Sequence, residues 1–470
     1  MAKNAGTRPN IVLINADDLG YGDLGCYGSS ANATPRLDRM AADGVRFTDL
    51  SMASPVCSPS RGAMLTGCYP PRIGFGSFEG LPVLFPGQGV GLDPAEATMG
   101  RVLADAGYRT LMVGKWHCGD QPGFLPTDHG FDRYLGLPYS NDMGRQAGTP
   151  TDERGDQRGY PPLPLLADDE VIEQQPDQRA LTRRYVDEVV GFLESDDDRP
   201  FFVYLAHLHV HLPLYVEERF IEASTNGPYG AAVAAIDHAA GAILDALARL
   251  SLDDDTLVVF TSDNGALDRD GGGSNLPLRG AKGTTWEGGV RVPCIARWPG
   301  RIAAGTTCDE LASSLDLLPT FAALAGAAAD LDAATTQRPI DGRDLSRLLF
   351  EPEASGPHET VATYFMDDLH AVRDGRWKLH VARHGQTIAE LYDLDADVGE
   401  TTDVADRHPE VVARLTEAAE RYRHDLGDAR LGIAGAGVRP SGRVAHPVPL
   451  TTYDPDHPYV VAEYDLPDRG

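Results

Sequence analysis

Short apolar runs rich in β-branched residues alternate with helical patterns over the first two-thirds of this chain, and this alternation constrains the fold more than any other feature. Runs without polar alternation are typical of strands that are buried on both faces of a sheet. Strands that alternate with helices favour a mainly parallel sheet with helices on both sides. The predicted strands are 10–15, 110–113, 201–206, 256–261 and 293–296.

Two segments between these strands carry apolar residues at helical spacing. Side chains three or four residues apart share one face of a helix, so each segment predicts a helix that packs on the sheet. By contrast, residues 138–178 contain scattered Pro, Gly, Asp and Gln without periodicity, and we expect a long excursion over one face of the domain. The helical patterns are Leu181, Tyr185, Val189 and Leu193, and Val233, Ile236, Ala240, Leu244 and Leu247.

The pattern changes near residue 352, where short strands replace the strand–helix alternation. Pro and Gly are frequent after residue 432, and we expect an extended tail over the surface there. The predicted fold class is therefore α/β, with a large domain over residues 1–351 and a smaller α+β domain over residues 352–470. The predicted elements of the smaller domain are antiparallel strands at 361–365, 377–382 and 390–394 and a helix at 409–426.

The chain is strongly acidic, because 41 Lys and Arg stand against 70 Asp and Glu, a formal charge of −29. Such a surface repels DNA and anionic membranes, so we expect neither nucleic acid nor a membrane as a partner. The six cysteines form no CxxC pair, which argues against a zinc site and a disulfide scaffold. We find no apolar leader and no run that approaches the roughly 20 apolar residues of a membrane span, so we expect a cytoplasmic protein with reduced thiols.

Polar residues follow four of the predicted strands at the point where each strand ends. In an open α/β sheet, ligands bind outside the carboxyl ends of the parallel strands. We therefore expect these side chains to meet at one rim of the sheet. They are Asp17 and Asp18, Lys115 and His117, His207, His209 and His211, and Asp263 and Asn264.

Four of these residues would form a set of oxygen donors, namely Asp17, Asp18, Asp263 and Asn264. Carboxylate and amide oxygens suit a hard cation such as Ca²⁺ or Mg²⁺ better than they suit zinc. An acidic pair after a strand can also serve as a helix cap or a solvated turn. Because a second pair stands at a matching strand end, a divalent cation is the favoured interpretation.

The segment 54–67, SPVCSPSRGAMLTG, predicts a helix that begins just after Cys57. Ser58 supplies a cap, Pro59 suits the first helical turn, and Arg61 follows one turn on. A cysteine at this position could be a thiol that the helix N-terminus activates. It could equally be a buried structural cysteine, and these residues alone leave both interpretations open.

The order Cys57-x-Pro-Ser-Arg61 is the recognition sequence for oxidation of cysteine to formylglycine, and Leu-Thr-Gly follows it here. With the other motifs, it makes the chain resemble the type I sulfatases of the alkaline phosphatase superfamily, and most of all their arylsulfatase A branch. The resemblance extends over nearly the whole chain. The matching segments are NIVLINADDLGYGDLGCYG, CSPSRGAMLTGCYP, GYRTLMVGKWHCG, FLPTDHGFDRYLGLPYSND, DRPFFVYLAHLHVHLP, LVVFTSDNG, RGAKGTTWEGGVRVP, SSLDLLPTFAALAG and ELYDLDADVGETTD.

The resemblance implies that residues 1–351 form a catalytic domain that hydrolyses a sulfate monoester. A formylglycine-generating enzyme would oxidise Cys57, and one oxygen of the hydrated aldehyde would attack sulfur to give a covalent sulfo-enzyme. Elimination of sulfate would then restore the aldehyde. The resemblance also implies a divalent cation, calcium in most family members with Mg²⁺ as the alternative. Its implied ligands are Asp17, Asp18, Asp263, Asn264 and the modified Cys57.

The resemblance implies roles for the remaining rim residues. Arg61 would hold the hydrated aldehyde, and His117 would take a proton from its second hydroxyl. His211 or Lys282 would protonate the leaving group. Fixed positive groups are needed because the oxygens of a sulfate monoester repel an anionic nucleophile. The residues that would contact the sulfate are Lys115, Ser140, His211 and Lys282.

Two alternatives of different kinds stay open at this point. The same superfamily contains phosphatases and phosphonate monoester hydrolases, whose phosphoryl group fits a similar set of positive groups. If Cys57 is never oxidised, the chain could instead bind an oxyanion without turnover. Within the sulfatase interpretation, an aryl sulfate and a sulfated carbohydrate or lipid are all compatible with the motifs, and no motif indicates an oligomeric state.

Overall fold

The computed structural model describes residues 8–147, 159–267 and 272–465. Strands and helices alternate along most of these residues, as the apolar pattern predicts. In chain order the strands are β1 (Asn10–Ala16), β2 (Val45–Ser51), β3 (Val90–Gly91), β4 (Arg109–Lys115), β5 (Arg133–Leu137), β6 (Pro164–Ala167), β7 (Glu170–Gln174), β8 (Phe201–Ala206), β9 (Thr256–Ser262), β10 (Arg291–Arg297), β11 (Thr306–Cys308), β12 (Ala312–Ser313), β13 (Val361–Phe365), β14 (Asp368–Asp374), β15 (Trp377–Arg383), β16 (Gln386–Asp393) and β17 (Gly442–Arg443).

Within the described residues, eleven strands form the main sheet, in the order β11-β2-β10-β9-β1-β8-β4-β5-β6-β7 with β12 beside β2. The five strands from β9 to β5 in this order are mutually parallel. Antiparallel pairs join β10 to both of its neighbours and place β6 and β7 at the far edge. The predicted α/β fold with a mainly parallel sheet is confirmed.

Helices cover both faces of this sheet, because successive side chains of a strand point to opposite faces. Ile11 and Leu13 of β1 belong to one apolar core, and Val12 and Ile14 belong to the core on the other face. In chain order the helices are α1 (Pro35–Ala42), α2 (Cys57–Thr66), α3 (Met99–Asp105), α4 (Leu181–Leu193), α5 (Glu218–Ala223), α6 (Gly227–Arg249), α7 (Glu287–Val290), α8 (Leu317–Leu324), α9 (Ala328–Thr335), α10 (Ser346–Phe350) and α11 (Pro409–Leu426).

Strands β13 to β16 form a second, antiparallel sheet, and α11 packs on it. Leu415 and Ala419 of the helix share a core with Leu379 and Val372 of the sheet. The predicted C-terminal antiparallel sheet and helix are therefore confirmed, whereas the domain boundary at residue 352 stays a prediction. The chain then returns to the first part of the molecule, where β17 pairs with β3.

Helix α6 is long and apolar enough to cross a membrane by length and composition. The expectation that no run approaches a membrane span is wrong for this segment. The most apolar 18-residue window of this helix is 67% buried inside the fold. Its apolar character is that of a core helix, since Val233, Ile236 and Ala240 pack against the sheet core.

Three local predictions near the site differ from the structure. The predicted excursion over residues 138–178 includes the hairpin of β6 and β7, whose strands are too short for a periodic signal, while residues 148–158 lie outside the described part. Helix α2 begins at Cys57 itself, with Val56 at the cap position, so neither the predicted start nor the predicted cap at Ser58 holds. Strand β4 runs on through Gly114, where a Cβ would lie 1.9 Å from a carbonyl oxygen of β8, so that only glycine lets the strand reach Lys115.

Candidate active site

The ends of β1 and β9 bring the two predicted pairs of cation ligands together. Asp17 and Asp18 follow β1, and Asp263 and Asn264 follow the neighbouring strand β9. The backbone nitrogen of Asp18 donates to Asp263 Oδ1 at 3.1 Å, and Asn264 Nδ2 donates to Asp18 Oδ1 at 2.7 Å. All four side chains are buried. They form one cluster at the carboxyl edge of the parallel strands.

Cys57 joins this cluster from the first turn of α2. Its Sγ lies 3.7 Å from Asp17 Oδ1 and 3.9 Å from Asp18 Oδ1, and the residue is only 2% exposed. Burial raises the pKa of the thiol, although Lys115 and Lys282 oppose the shift. The unmodified side chain is therefore a neutral, buried thiol and not an activated one.

The cluster has the chemistry of a divalent cation site. One donor atom each from Asp17, Asp18 and Cys57 lie within 4.8 Å of one another. Asn264 Oδ1 is buried and has no hydrogen-bond partner within the described residues, so an amide oxygen is available to a ligand. Burial and the neighbouring Asp17 raise the pKa of Asp263 to about 6. A bound cation would offset the repulsion among these buried carboxylates, and the residues present fit a hard divalent ion.

Two buried, positively charged side chains face the carboxylates, one from α2 and one from β4. Arg61 Nε donates to Asp263 Oδ2 at 2.8 Å, and Lys115 Nζ donates to Asp17 Oδ2 at 2.7 Å. Burial alone would raise the pKa of Asp17, but Lys115 and Arg61 hold it well below its usual range. Arg61 Nη1 also donates to the backbone oxygen of Lys115 at 2.9 Å, which fixes the helix to the end of the strand.

Lys282 supplies a third positive charge from the loop that precedes α7. Its Nζ donates to Asp18 Oδ2 at 2.8 Å. Burial would lower the pKa of Lys282, but Asp18 raises it above its ordinary value, so the ammonium stays charged. Its side chain is 11% exposed, against 1% for Lys115, so Lys282 lies on the solvent side of the cluster.

Ser140 and His211 complete the rim. Ser140 Oγ accepts a hydrogen bond from Lys115 Nζ at 2.9 Å and lies 3.2 Å from His211 Nε2. The same imidazole nitrogen lies 4.0 Å from Asp18 Oδ2. Burial lowers the pKa of His211, and Lys282 adds to the shift. The four predicted sulfate-contacting residues thus lie around the carboxylate cluster.

His117 is held in a defined protonation state. Its Nε2 lies 3.0 Å from the carbonyl oxygen of Leu84, which can only accept, so Nε2 carries the proton. Its Nδ1 is buried and has no hydrogen-bond partner in the part of the chain that the structure describes. Burial lowers the pKa of His117 well below its ordinary value, and Lys115 adds to this. The neutral ring therefore offers an unprotonated nitrogen as a base.

The remaining histidines after β8 support the backbone of the site. The backbone N–H of His209 donates to His207 Nδ1 at 3.0 Å, and the carbonyl oxygen of His209 accepts from the backbone N–H of Asp17 at 2.9 Å. Burial lowers the pKa of both imidazoles, to about 4 for His209. Both rings are therefore neutral, buried supports for the loop that carries Asp17.

Sequence reasoning missed two groups beside the site. Asn141 Oδ1 lies 3.0 Å from His211 Nδ1, and its position directly after Ser140 was the available signal. Glu287 Oε1 accepts from Lys378 Nζ at 2.9 Å in a buried ionic network that holds the start of α7, five residues after Lys282. No local pattern predicts this second contact, because its partners lie 91 residues apart.

Comparisons with known proteins give a consistent result. Residues 9–327 match the family described as Sulfatase, and residues 281–425 match the one described as N-sulphoglucosamine sulphohydrolase, C-terminal. The chain is 44% identical to arylsulfatase A of Homo sapiens, over 87% of this chain and 86% of that protein. It is 36% identical to steryl-sulfatase of Mus musculus, over 90% of this chain and 83% of that protein. The solved structure of PsFucS1 sulfatase from Pseudoalteromonas sp. is similar with a TM-score of 0.79 at 28% identity, over 88% of this chain and 90% of that one.

The comparisons contradict the predicted cytoplasmic location. Arylsulfatase A and steryl-sulfatase are lysosomal or endoplasmic-reticulum-membrane enzymes and not cytoplasmic ones. The prediction depended on the composition of the first residues and on the cysteine count. Neither property contributes to the fold that the chain shares with these relatives. The predicted cytoplasmic location is wrong because it disagrees with the location of these relatives.

Proposed function

The chain belongs to the sulfatase family and hydrolyses sulfate esters, and we propose that the cluster around Cys57 is the site of that reaction. The family and the enzyme class predicted from the motifs are confirmed by these relatives. The residues that carry out the reaction, the leaving group and the metal are the proposal.

One observation carries the assignment of the site. Cys57 Sγ lies within 4 Å of two carboxylates that are themselves paired with Lys115 and Lys282. The side chain of residue 57 therefore faces both the proposed metal site and two fixed ammonium groups. An anionic ester needs such an arrangement, because positive charge must offset the repulsion between its oxygens and the attacking oxygen.

Sulfatases generally use formylglycine and a divalent metal. We propose that Cys57 is converted to formylglycine by a formylglycine-generating enzyme and that the cation is Ca²⁺, with Mg²⁺ as the second candidate. The ion, when bound, would act as a Lewis acid that polarises the oxygens near sulfur. Its ligands would be Asp17, Asp18, Asp263, Asn264 and the modified side chain of Cys57.

Different side chains carry out the proton transfers of the two steps in this proposal. One hydroxyl oxygen of the hydrated formylglycine attacks sulfur and releases its proton. The bond from sulfur to the leaving oxygen breaks as Lys282, or His211 when both of its ring nitrogens are protonated, donates a proton to that oxygen. The proton released in the attack replaces the one that was donated. Arg61 orients the attacking group. His117 Nδ1 is unprotonated and has no hydrogen-bond partner among the described residues, and it accepts the proton of the second hydroxyl as the carbon–oxygen bond to sulfate breaks. Sulfate leaves and the aldehyde is restored.

The substrate that we propose is an aryl sulfate or a sulfated carbohydrate or lipid. Lys282 and His211 hold the sulfate in this proposal and do not select among these leaving groups. The fold itself does not separate sulfate from phosphonate esters, since a phosphonate monoester hydrolase of Agrobacterium radiobacter is similar with a TM-score of 0.63 at 20% identity.

The test combines mass analysis with a substrate panel. We expect the peptide that contains Cys57 to carry the mass of formylglycine, and the purified enzyme to release sulfate from 4-nitrophenyl sulfate faster than phosphate from 4-nitrophenyl phosphate. Cys57→Ala is expected to lose turnover entirely, whereas Cys68→Ala, which removes a buried thiol just after α2, should retain it. Near-normal sulfate release by Cys57→Ala would overturn the assigned site.

A further inference from the structure

We propose that Asn141 is a positioning residue that holds the imidazole of His211 in one orientation and one tautomer. The proposal rests on the proposed function, which places His211 beside the sulfate. Nε2 is the ring nitrogen that faces the cluster, 4.0 Å from Asp18 Oδ2. Asn141 does not reach the reacting atoms in this assignment and acts only through the imidazole. All the groups involved are buried, since Asn141 is 1% exposed and His211 is 3% exposed.

The contacts of His211 Nδ1 determine which nitrogen carries the proton. Nδ1 lies 2.6 Å from the carbonyl oxygen of Leu212 and 3.0 Å from Asn141 Oδ1. Both partners are acceptors, so Nδ1 must be the protonated nitrogen. The other tautomer would direct the lone pair of Nδ1 at two oxygens inside a buried site, which is unfavourable.

The orientation of the Asn141 amide is itself determined by its other contacts. Its Nδ2 donates to the carbonyl oxygen of Pro213 at 3.2 Å and to Gln178 Oε1 at 3.0 Å. A rotated amide would point an oxygen at the Pro213 carbonyl, which cannot donate. Gln178 Nε2 donates in return to the backbone oxygen of Asn141 at 3.0 Å, so the two amides hold each other. Oδ1 is therefore the atom that faces His211.

A defined tautomer leaves the opposite nitrogen available on the reacting side. Nε2 of the neutral ring can accept from the hydroxyl of Ser140, 3.2 Å away, while that hydroxyl oxygen accepts from Lys115 at 2.9 Å. In the series of hydrogen bonds from Lys115 through Ser140 and His211 to Asn141, each donor has an acceptor. The direction of every one of these bonds is consistent with a proton on Nδ1. Asn141 thus supports the arrangement that presents Nε2 beside the carboxylate cluster.

The first test is a set of three variants assayed for kcat and KM on 4-nitrophenyl sulfate. Asn141→Leu keeps the number and branching of the side-chain heavy atoms but removes the acceptor, and we expect kcat to fall about 10- to 100-fold with little change in KM. Asn141→Asp restores an acceptor at Nδ1 but places its second oxygen against the carbonyl of Pro213, so it should keep the tautomer protonated on Nδ1 and recover only part of the lost kcat. The matched control is Asn10→Leu, a buried asparagine at the opposite end of β1 that bonds Thr256 and the backbone of β8, and its kcat should stay at the wild-type value.

The second test reads the tautomer without using activity. In protein labelled with ¹⁵N-histidine, the ring signals of His211 are identified as those that vanish in His211→Gln. We expect a protonated Nδ1 and an unprotonated Nε2 in the wild type at pH 7.5, and a mixture of tautomers in Asn141→Leu. If Asn141→Leu does not fold, Gln178→Leu, which frees the Asn141 amide, is expected to show the same change in tautomer with a smaller loss of kcat.

The outcomes separate this inference from the proposed function. A folded Asn141→Leu variant with wild-type kcat and an unchanged tautomer, together with an inactive His211→Gln, would overturn the role of Asn141 alone. Wild-type kcat in His211→Gln would instead overturn the role given to His211. If Asn141→Leu and Asn141→Asp lose kcat equally while the tautomer is unchanged, Asn141 is a packing residue and the inference is also overturned.

Discussion

Lys282 Nζ donates to Asp18 Oδ2 at 2.8 Å although the two residues lie 264 positions apart in the chain. Asp18 follows the central strand β1, whereas Lys282 lies in the loop before α7. The contact joins Lys282, which we propose binds the sulfate, to Asp18, which we propose binds the metal. The positive and negative groups of the site therefore stabilise one another, and removal of either should affect the other.

We expect Lys282→Met to lower kcat/KM for a sulfate ester by about 100-fold or more, because it removes one fixed positive group from a buried anion site. Michaelis–Menten kinetics of sulfate release measure the effect. Arg249→Met is the control, because it removes one positive charge from an exposed surface pair with Glu194. Equal activity in the two variants would show that Lys282 does not contact the substrate.

Removal of the divalent cation should stop turnover and lower thermal stability together. We expect dialysis against a chelator to abolish sulfate release, and added Ca²⁺ or Mg²⁺ to restore it. Binding to the folded state alone stabilises by about 2.7 kcal/mol at a ligand concentration 100 times Kd, so Tm should rise with added ion. Asp17→Asn should remove the rise in Tm, whereas Asp254→Asn, at an exposed position of the short 3-10 helix Asp253–Asp255, should keep it. A Tm that does not respond to either ion in the wild type would contradict the site.

Glu287→Ala should destabilise the fold severely, because Glu287 is the shared acceptor of Arg373 and Lys378 in a buried network. Removing Glu287 leaves Arg373 with Asp49 and Lys378 with Glu400 as the remaining partners, and breaking a buried ion pair costs about 3–5 kcal/mol. Urea unfolding measures the loss. The control is Glu351→Ala, which breaks an exposed pair with Arg347 and should change the free energy of unfolding by less than about 0.5 kcal/mol. Comparable small losses in both variants would mean that the network does not hold the loop.

We expect the buried imidazole of His129 to lower the free energy of unfolding in acid. Burial lowers the pKa of His129 to about 4, with Arg101 adding to the shift, whereas an unfolded histidine titrates near 6.5. Between these two values the unfolded chain binds one more proton than the folded chain, so the contribution to stability falls as pH falls, by about 1.4 kcal/mol per pH unit.

The test is His129→Phe, which keeps an aromatic ring against Trp116 and cannot titrate. We expect the free energy of unfolding, measured in urea between pH 4 and 7, to depend less steeply on pH in the variant than in the wild type. Identical slopes would show that His129 is already charged in the folded protein.

The strands around the site could be predicted because they are buried on both faces. Runs such as residues 10–15 and 201–206 contain no polar alternation, and the structure has strands at both places. The hairpin of β6 and β7 could not be predicted, since its strands are four and five residues long and lie at the sheet edge. The start of α2 was misplaced by one residue because Val56 occupies the cap position without a side-chain hydrogen bond, so its side chain carries no capping signal.

The sequence alone identifies the family, and it predicts Cys57 as the nucleophile and the two acidic pairs as neighbours. The segment from Cys57 to Arg61 is contiguous, and residues that end adjacent parallel strands must meet at one edge. Only the tertiary structure decided that Asn141 faces His211 and that Glu287 faces Lys378, across 70 and 91 residues of chain. The physical reason is that a hydrogen bond depends on the distance and direction between two atoms, and a polar side chain in a loop has no periodicity that reveals its partner.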